Sequence, residues 1–500
     1  MSNETDPHLL VAIMQRAFAQ KQDSFPRRVN LEGHTLERGI TEDRITSIRT
    51  FPILDAIASL SVSQGTHEVY AVALQVDPVN QKIRLTIAGN QGVPVYLKAH
   101  LVKVWGKLQE LSTQYAENRG LDPNSERSPR VPKGVALPTR VDIFRDICQF
   151  SLEKLVTRGE KWRAGLSHFM RQLVKHRKTG LQGVELDLFH ATLGLLKLHK
   201  SLSGLHLDSK KEFTHKEWVD IYQESMWASK CTQRVLEYDN GTGCEKLARK
   251  LGGRRCYGGP FRLRRALEKL NSLPRNIKIL VAFANSRRLR PALQYAMSIV
   301  AVPAQTRFIP LPRSQDDWLL VLQNETEQHY PWQLGEAEAL LQAFKPPRKK
   351  CDVHCECSLI QYLERCHASG TAWDKIPPFN YLGVSKLSCY ACYLWITAFN
   401  EQGGRKIFTR GSHGKWCFPW AMPNSGKNLV RSMAKKLSKE YYAYLSMSGL
   451  IWLDEDSTPP SSPVGGEDSD TEEDGERAAM IATMVEESGG IAEAFSAFLY

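Results

Sequence analysis

CDVHCECSLIQYL (351–363) and LSCYACYLWI (387–396) are the stretches on which the reading of this chain turns. Cys389 and Cys392 lie three apart at the start of an apolar-periodic segment. On a helix that spacing puts both sulfurs on one face, and a helix N-terminus favours thiolate over thiol. His354 sits where strand-like Lys350–Val353 gives way to a helical pattern, Leu359–Arg365. One imidazole and two thiolates make a three-ligand zinc set with a fourth position left for water. Water so held ionises near neutral pH. Glu356, two residues past the histidine, can face that water without binding the ion, and can shuttle protons to a ring nitrogen and a departing amine.

Other readings stay open on the residues alone. Cys351, His354, Cys355 and Cys357 could join Cys389 and Cys392 in a closed structural zinc knot. Neighbouring residues on a strand point to opposite faces, so that spacing fits poorly and leaves Glu356 without a task. Alternatively the cysteines are simply buried, with no metal. His413, in Gly-Ser-His-Gly after strand-like Lys406–Thr409, is followed closely by Trp416 and Trp420. These read either as a substrate rim, with aromatic faces for a base to stack on, or as a loop histidine beside core tryptophans. Asn380 reads as a turn residue at a strand start.

VHCECSLIQYL (353–363), FNYLGVSKLSCYACYLW (379–395) and RGSHGKWCFPWAMP (410–423) together resemble a deaminase-like family. That family is abundant in fungi, is related to bacterial toxin-type deaminases, and belongs to the zinc-dependent nucleotide and nucleic-acid (cytidine) deaminase superfamily. The resemblance covers roughly residues 350–425, and it implies Zn2+ on His354, Cys389 and Cys392 with Glu356 as the acid/base. Where the wider superfamily has Pro before the first cysteine, this chain has Ser388, which joins His413 and Trp420 as a candidate substrate contact. The fold class implied is α/β: a cytidine-deaminase-like three-layer α/β/α domain, preceded by a mainly helical N-terminal region with a β-hairpin.

Working outward, the expected regions are 1–120 (helix and hairpin), 121–274 (mainly helical), 275–450 (deaminase-like) and 451–500 (an acidic, largely disordered tail). Residues 8–20 read as a helix. Alternation over 67–88, with Asp77, Pro78 and Asn80 between, reads as a hairpin. Tyr96–Asn118 and most of Val141–Leu236 are helical by pattern. Ile277–Phe283 reads as a buried strand, Arg288–Ile299 as the helix after it, and Val300–Pro303 as the start of a further strand. Thr458 and Ser462, each before a proline, are candidate phosphorylation sites.

Eleven cysteines, an odd number with seven between Cys351 and Cys417, fit a reducing compartment and local metal chemistry rather than disulfides. No basic leader precedes an apolar stretch at the start, and no run of about 18 apolar residues occurs. An intracellular protein, cytoplasmic or nuclear and without membrane partners, is expected. The net charge of +12 hides an asymmetry: 453–477 carries −9, 478–500 carries −3, and residues 1–452 carry +24. Nine Lys or Arg fall between Lys246 and Lys269. They form either a solvated basic face or a phosphate-contact patch.

The function expected is hydrolytic deamination of a nucleobase in a nucleotide or nucleic acid, a hydrolase acting on an amidine C–N bond. The competing expectation is a non-catalytic, zinc-stabilised module whose helical region recruits a protein partner or RNA.

Overall fold

The computed structural model describes residues 5–20, 29–30, 44–65, 68–118, 136–176, 181–208, 212–239, 242–251, 261–286, 290–326, 329–345, 347–367, 372–403, 405–448 and 450. In chain order these form α1 Pro7–Gln20, β1 Val29–Asn30, α2 Arg44–Leu60, β2 Tyr70–Asp77, β3 Lys82–Gly89, α3 Val95–Glu117 and α4 Leu137–Phe150. Five helices and two more follow: α5 Leu152–His176, α6 Val184–Leu207, α7 His215–Glu237, α8 Gly243–Leu251, α9 Leu263–Leu270, α10 Ser272–Asn285 and α11 Arg290–Leu293. The remainder is β4 Ala296–Val302, β5 Thr306–Pro310, α12 Gln315–Thr326, α13 Trp332–Ala343, β6 Arg348–Val353, α14 Cys355–His367, β7 Gly383–Val384, α15 Tyr390–Glu401, β8 Gly411–Ser412, β9 Trp420–Ala421 and α16 Lys427–Met447. The acidic tail, with Thr458 and Ser462, lies outside the described residues.

The expected hairpin forms, with Tyr70 opposite Gly89 and Asp77 opposite Lys82. Asp77 closes its turn by accepting the N–H groups of Val79 (3.1 Å) and Asn80 (3.0 Å), the local side-chain bond that suits Asp to turns. A two-stranded ribbon is marginal alone, and this one is extended on both edges: β4 pairs in parallel with β3, and β7 pairs antiparallel with β2. The sheet order is β4-β3-β2-β7, and a separate sheet has the order β5-β6-β9. The fold is therefore mixed α/β, mainly helical, with small sheets.

Contacts group the described residues into two units, one within 1–155 and 273–451, the other within 156–272. The hairpin of the first 120 residues and the strands after residue 275 thus share one unit, because β3 and β4 share a sheet. A unit boundary falls at 272/273, close to the divide expected near residue 275, but the hairpin before the second unit and the strands after it share one sheet. In the second unit α5, α6, α7, α8 and α9 surround a core that includes Leu166, Phe169, Leu188, Leu195, Val235 and Leu267. A capping box at Thr214 and Glu217 starts α7.

Three secondary-structure expectations are overturned. Ile277–Phe283 is not a strand but part of α10. Its buried positions Leu273, Ile277, Leu280 and Ala284 recur every three to four residues, a helical stripe that a continuous apolar run conceals. Residues 296–299, expected as the end of a helix, are instead in β4, and α11 is one turn. Lys406–Thr409, expected as a strand, contributes only an isolated bridge at Phe408.

The first unit holds β7 tightly against α2. A Cβ on Gly383 would lie 2.2 Å from the Leu54 backbone, so only glycine permits the approach. Beside it Asp55 accepts the Tyr381 hydroxyl at 2.7 Å and the Val384 N–H at 2.9 Å. Burial pushes the Asp55 carboxyl above its ordinary range, and Arg410 and these two donors work against that push. Asp55→Ala removes the acceptor of both the Tyr381 hydroxyl and the Val384 N–H. It is expected to destabilise the unit by about 2 kcal/mol in urea unfolding, and a change below about 0.5 kcal/mol would contradict this role.

Candidate metal centre

Two helix N-termini converge to make the site. β6 runs into α14 at Val353, so His354 stands at the junction and its carbonyl accepts the Ser358 N–H at 2.9 Å. The start of α14 is also held from outside its own segment. Asn90, just past β3, accepts the Cys355 N–H through its side-chain oxygen at 2.8 Å. On the other side Cys389 is the N-cap of α15, its sulfur accepting the Cys392 N–H at 3.4 Å. Capping by a side chain satisfies an otherwise orphaned helix donor.

The three expected ligands come together. His354 Nδ1 lies 3.5 Å from Cys389 Sγ and 3.4 Å from Cys392 Sγ, and the three ligand atoms all fall within 4.8 Å of one another. Imidazole at about 2.0 Å and thiolate at about 2.3 Å around a tetrahedral ion would stand about 3.5 Å apart. The donor set therefore fits a zinc-like ion, and these residues could bind one. Cys351, Cys355 and Cys357 are not in this group. The six-residue knot is thus not assembled.

Burial sets the protonation of the ligands. It pushes the His354 imidazole below its ordinary value, toward the neutral form a ligand needs, with Glu356 and Asp352 pulling the other way. It pushes the Cys389 and Cys392 thiols well above theirs. Without an ion both sulfurs carry protons, so an ion must displace them.

Glu356 lies in the first turn of α14, only 4% exposed, and its Oε2 accepts the Cys355 thiol at 3.2 Å. Ser388 is 1% exposed and in parallel bridge with Ser412. Its N–H donates to the Gly411 carbonyl and its carbonyl accepts the His413 N–H, both at 3.1 Å. Among the described residues its Oγ has no hydrogen-bond partner. His413 is half-buried, and its Nδ1 accepts the Lys415 N–H at 3.0 Å.

Trp420 occupies a different place from the one expected. It is fully buried, its indole N–H donates to Cys392 Sγ at 3.3 Å, and it presents no open face to a stacked base. The reason is its strand: β9 pairs with β6, which sets Trp420 opposite Asp352 behind the ligands. Trp416 is also buried, edge-on to Tyr390. Asn380 accepts from Arg405 Nε at 3.2 Å and is not among the ligands.

Three contributors were invisible to spacing. Asn90 reaches Cys355 across 265 residues, a pairing no local pattern marks. His8 in α1 accepts the Met422 N–H at 3.0 Å, donates to Asp6 at 2.6 Å, and lies 5.8 Å from the Trp420 ring. Cys417 is hydrogen-bonded to Cys389 and to His413; the bond to Cys389 and then burial push its thiol up. Its position within RGSHGKWCFPW was the one available signal.

Because the two ligand thiols start protonated and the histidine starts neutral, adding zinc to metal-free protein should release about two protons. Affinity should accordingly rise with pH. An indicator dye in weak buffer reads the release, and zinc uptake with no proton release would contradict the ligand assignment.

Residues 353–424 match the family model described as OTT_1508_deam:-like deaminase. That span contains His354, Glu356, Cys389 and Cys392. No curated protein and no solved structure gives a match to the chain. No described helix is long and apolar enough to cross a membrane. The match and the cluster agree on a deaminase-like segment built around a site that could hold a metal ion.

Proposed function

We propose that the chain is a zinc-dependent hydrolytic deaminase that removes an exocyclic amine from a nucleobase in a nucleotide or nucleic acid. The observation that carries this reading is the convergence of His354, Cys389 and Cys392 within 4.8 Å, inside the deaminase-like match and beside buried Glu356. The two sheets and their flanking helices are read as a divided form of the three-layer cytidine-deaminase arrangement.

A bound zinc ion would acidify water and so supply a nucleophile at neutral pH. The chain's own residues do the rest. Glu356, shielded from solvent, takes the two protons of the attacking water in turn and passes one to the ring nitrogen and one to the leaving amine, so that ammonia departs neutral as the C–N bond breaks and the ring carbonyl forms. The Cys355 thiol steadies the Glu356 carboxylate at Oε2. Asn90 fixes the helix start that carries both His354 and Glu356. Ser388, whose buried hydroxyl lacks a partner among the described residues, is the polar group assigned to the substrate. A buried hydroxyl left without a hydrogen bond is costly, and a bound base could supply one. His413 serves at the rim, and Trp420 serves as a wall behind Cys392.

Glu356→Gln keeps the size and hydrogen-bonding capacity of the side chain but not its proton exchange. The variant should retain its metal and lose deamination by a factor of at least about 100, read as ammonia release from cytosine- and adenine-containing nucleotides and oligonucleotides. Undiminished turnover would end the mechanism. If metal-loaded wild type releases no ammonia from any of these, the non-catalytic binding module is the better account.

A further inference from the structure

Residues 156–272 contain 23 Lys or Arg and 12 Asp or Glu, a net +11 in 117 residues, against +13 in the other 335 residues of 1–452. The carboxylates are unevenly placed within this unit. Six of the twelve sit on α6 and α7, whereas between Val156 and the end of α5 a single carboxylate, Glu160, accompanies five Lys or Arg.

The cations on α5 form a stripe. Leu166, Phe169, Met170 and Leu173 face the core. Lys161, Arg171 and Lys175 are exposed, in register with Ala164 and His168 at alternating spacings of three and four. At 1.5 Å per residue the stripe from Lys161 to Lys175 is about 21 Å long. Nucleic acid presents one phosphate per about 3.4 Å of helix axis on each strand, so the stripe can follow several in succession.

α9 extends this surface. A Cβ on Gly165 would lie 2.4 Å from the Phe261 ring, so the glycine admits that ring against α5. Phe261 also packs on Trp162 and Phe169, with ring centroids 6.3 Å away in each case. Arg262 therefore follows directly from a residue seated on α5. Leu263, Ala266 and Leu267 turn inward, and Arg262, Arg265 and Lys269 are exposed at helical spacing. Among the described residues no carboxylate pairs with Lys161, Arg171, Lys175, Arg262 or Arg265, whereas Arg264 is paired with Glu268 at 3.0 Å.

We propose that the exposed cations of α5 and α9 form a binding surface for the phosphate backbone of a nucleic acid, without base specificity. An anionic membrane is the less suitable partner. Membrane-surface helices combine cations with large apolar side chains, and among the described residues of this unit the exposed large apolar ones are Leu207 and Tyr238, on neither helix. The inference rests on charge and exposure in residues 156–272 and is independent of the deaminase reading.

The test uses the full chain and fluorescent single-stranded RNA and duplex DNA of about 20 nucleotides, titrated by anisotropy across a salt series. Wild type should bind at least one of them, weakening steeply with salt. Lys161→Glu/Arg171→Glu/Lys175→Glu should lose about 100-fold at low salt, with the slope of log affinity against log salt shallower by about 2. Arg262→Glu/Arg265→Glu should weaken binding in the same direction, providing a second variant should the first lose its thermal unfolding transition. Lys427→Glu/Lys435→Glu/Lys439→Glu on α16 makes an equal charge change in the other unit and should bind as wild type does. The proposal is overturned if neither oligonucleotide binds, if folded α5 and α9 variants bind like wild type, or if the α16 variant loses as much. Binding to phosphatidylserine vesicles with none to the oligonucleotides would overturn it in favour of a membrane.

Discussion

The first unit depends on bringing two helix N-termini to the same point. His354 precedes α14, Cys389 caps α15, and 35 residues separate them, yet His354 Nδ1 lies 3.5 Å from Cys389 Sγ. Both helix starts would leave backbone donors unsatisfied, and both are capped by side chains belonging to the site or its surroundings. The same hydrogen bonds that satisfy the helices therefore position the ligands. Burial adds a second constraint. Two thiols deep in apolar surroundings resist ionisation, so an ion that draws them together as thiolates would couple its binding to the order of the whole cluster.

Elements far from the motif serve this junction. The hairpin delivers Asn90 to α14, β9 delivers Trp420 to Cys392, and α1 braces the chain on both sides of β9: Gln15 accepts the Phe418 N–H before it and His8 the Met422 N–H after it. Asp55 ties α2 to the segment between Tyr381 and Val384, just ahead of Ser388. Residues 353–424 hold the ligands and Glu356, but the groups that orient them come from most of the first unit.

What could be read from the sequence was what short-range geometry dictates. The hairpin followed from alternation closed by Asp77 and Asn80, α14 from a helical pattern after a strand, and α15 from the apolar-periodic segment that opens at Cys389. The convergence of His354, Cys389 and Cys392 was legible because Cys-x-x-Cys and His-x-Glu restrict where their side chains can point. The errors arose where local pattern underdetermines the answer. An apolar run such as Ile277–Phe283 satisfies both periods, and its neighbours decided for a helix. Trp420 looked like a stacking surface because nothing local reveals that β9 pairs with β6 and turns it inward. Asn90 could not be found at all, since its partner lies 265 residues away. The merging of the first 120 residues with the later strands was hidden for the same reason, because β3 meets β4 only after the whole helical unit has intervened.

The most direct test is elemental analysis for zinc on purified wild type and on Cys389→Ser/Cys392→Ser, with circular dichroism to establish that each is folded. The account predicts one zinc per wild-type chain and none in the double variant. Folded wild type without zinc, or a double variant that keeps it, would contradict the assignment of the metal to these ligands.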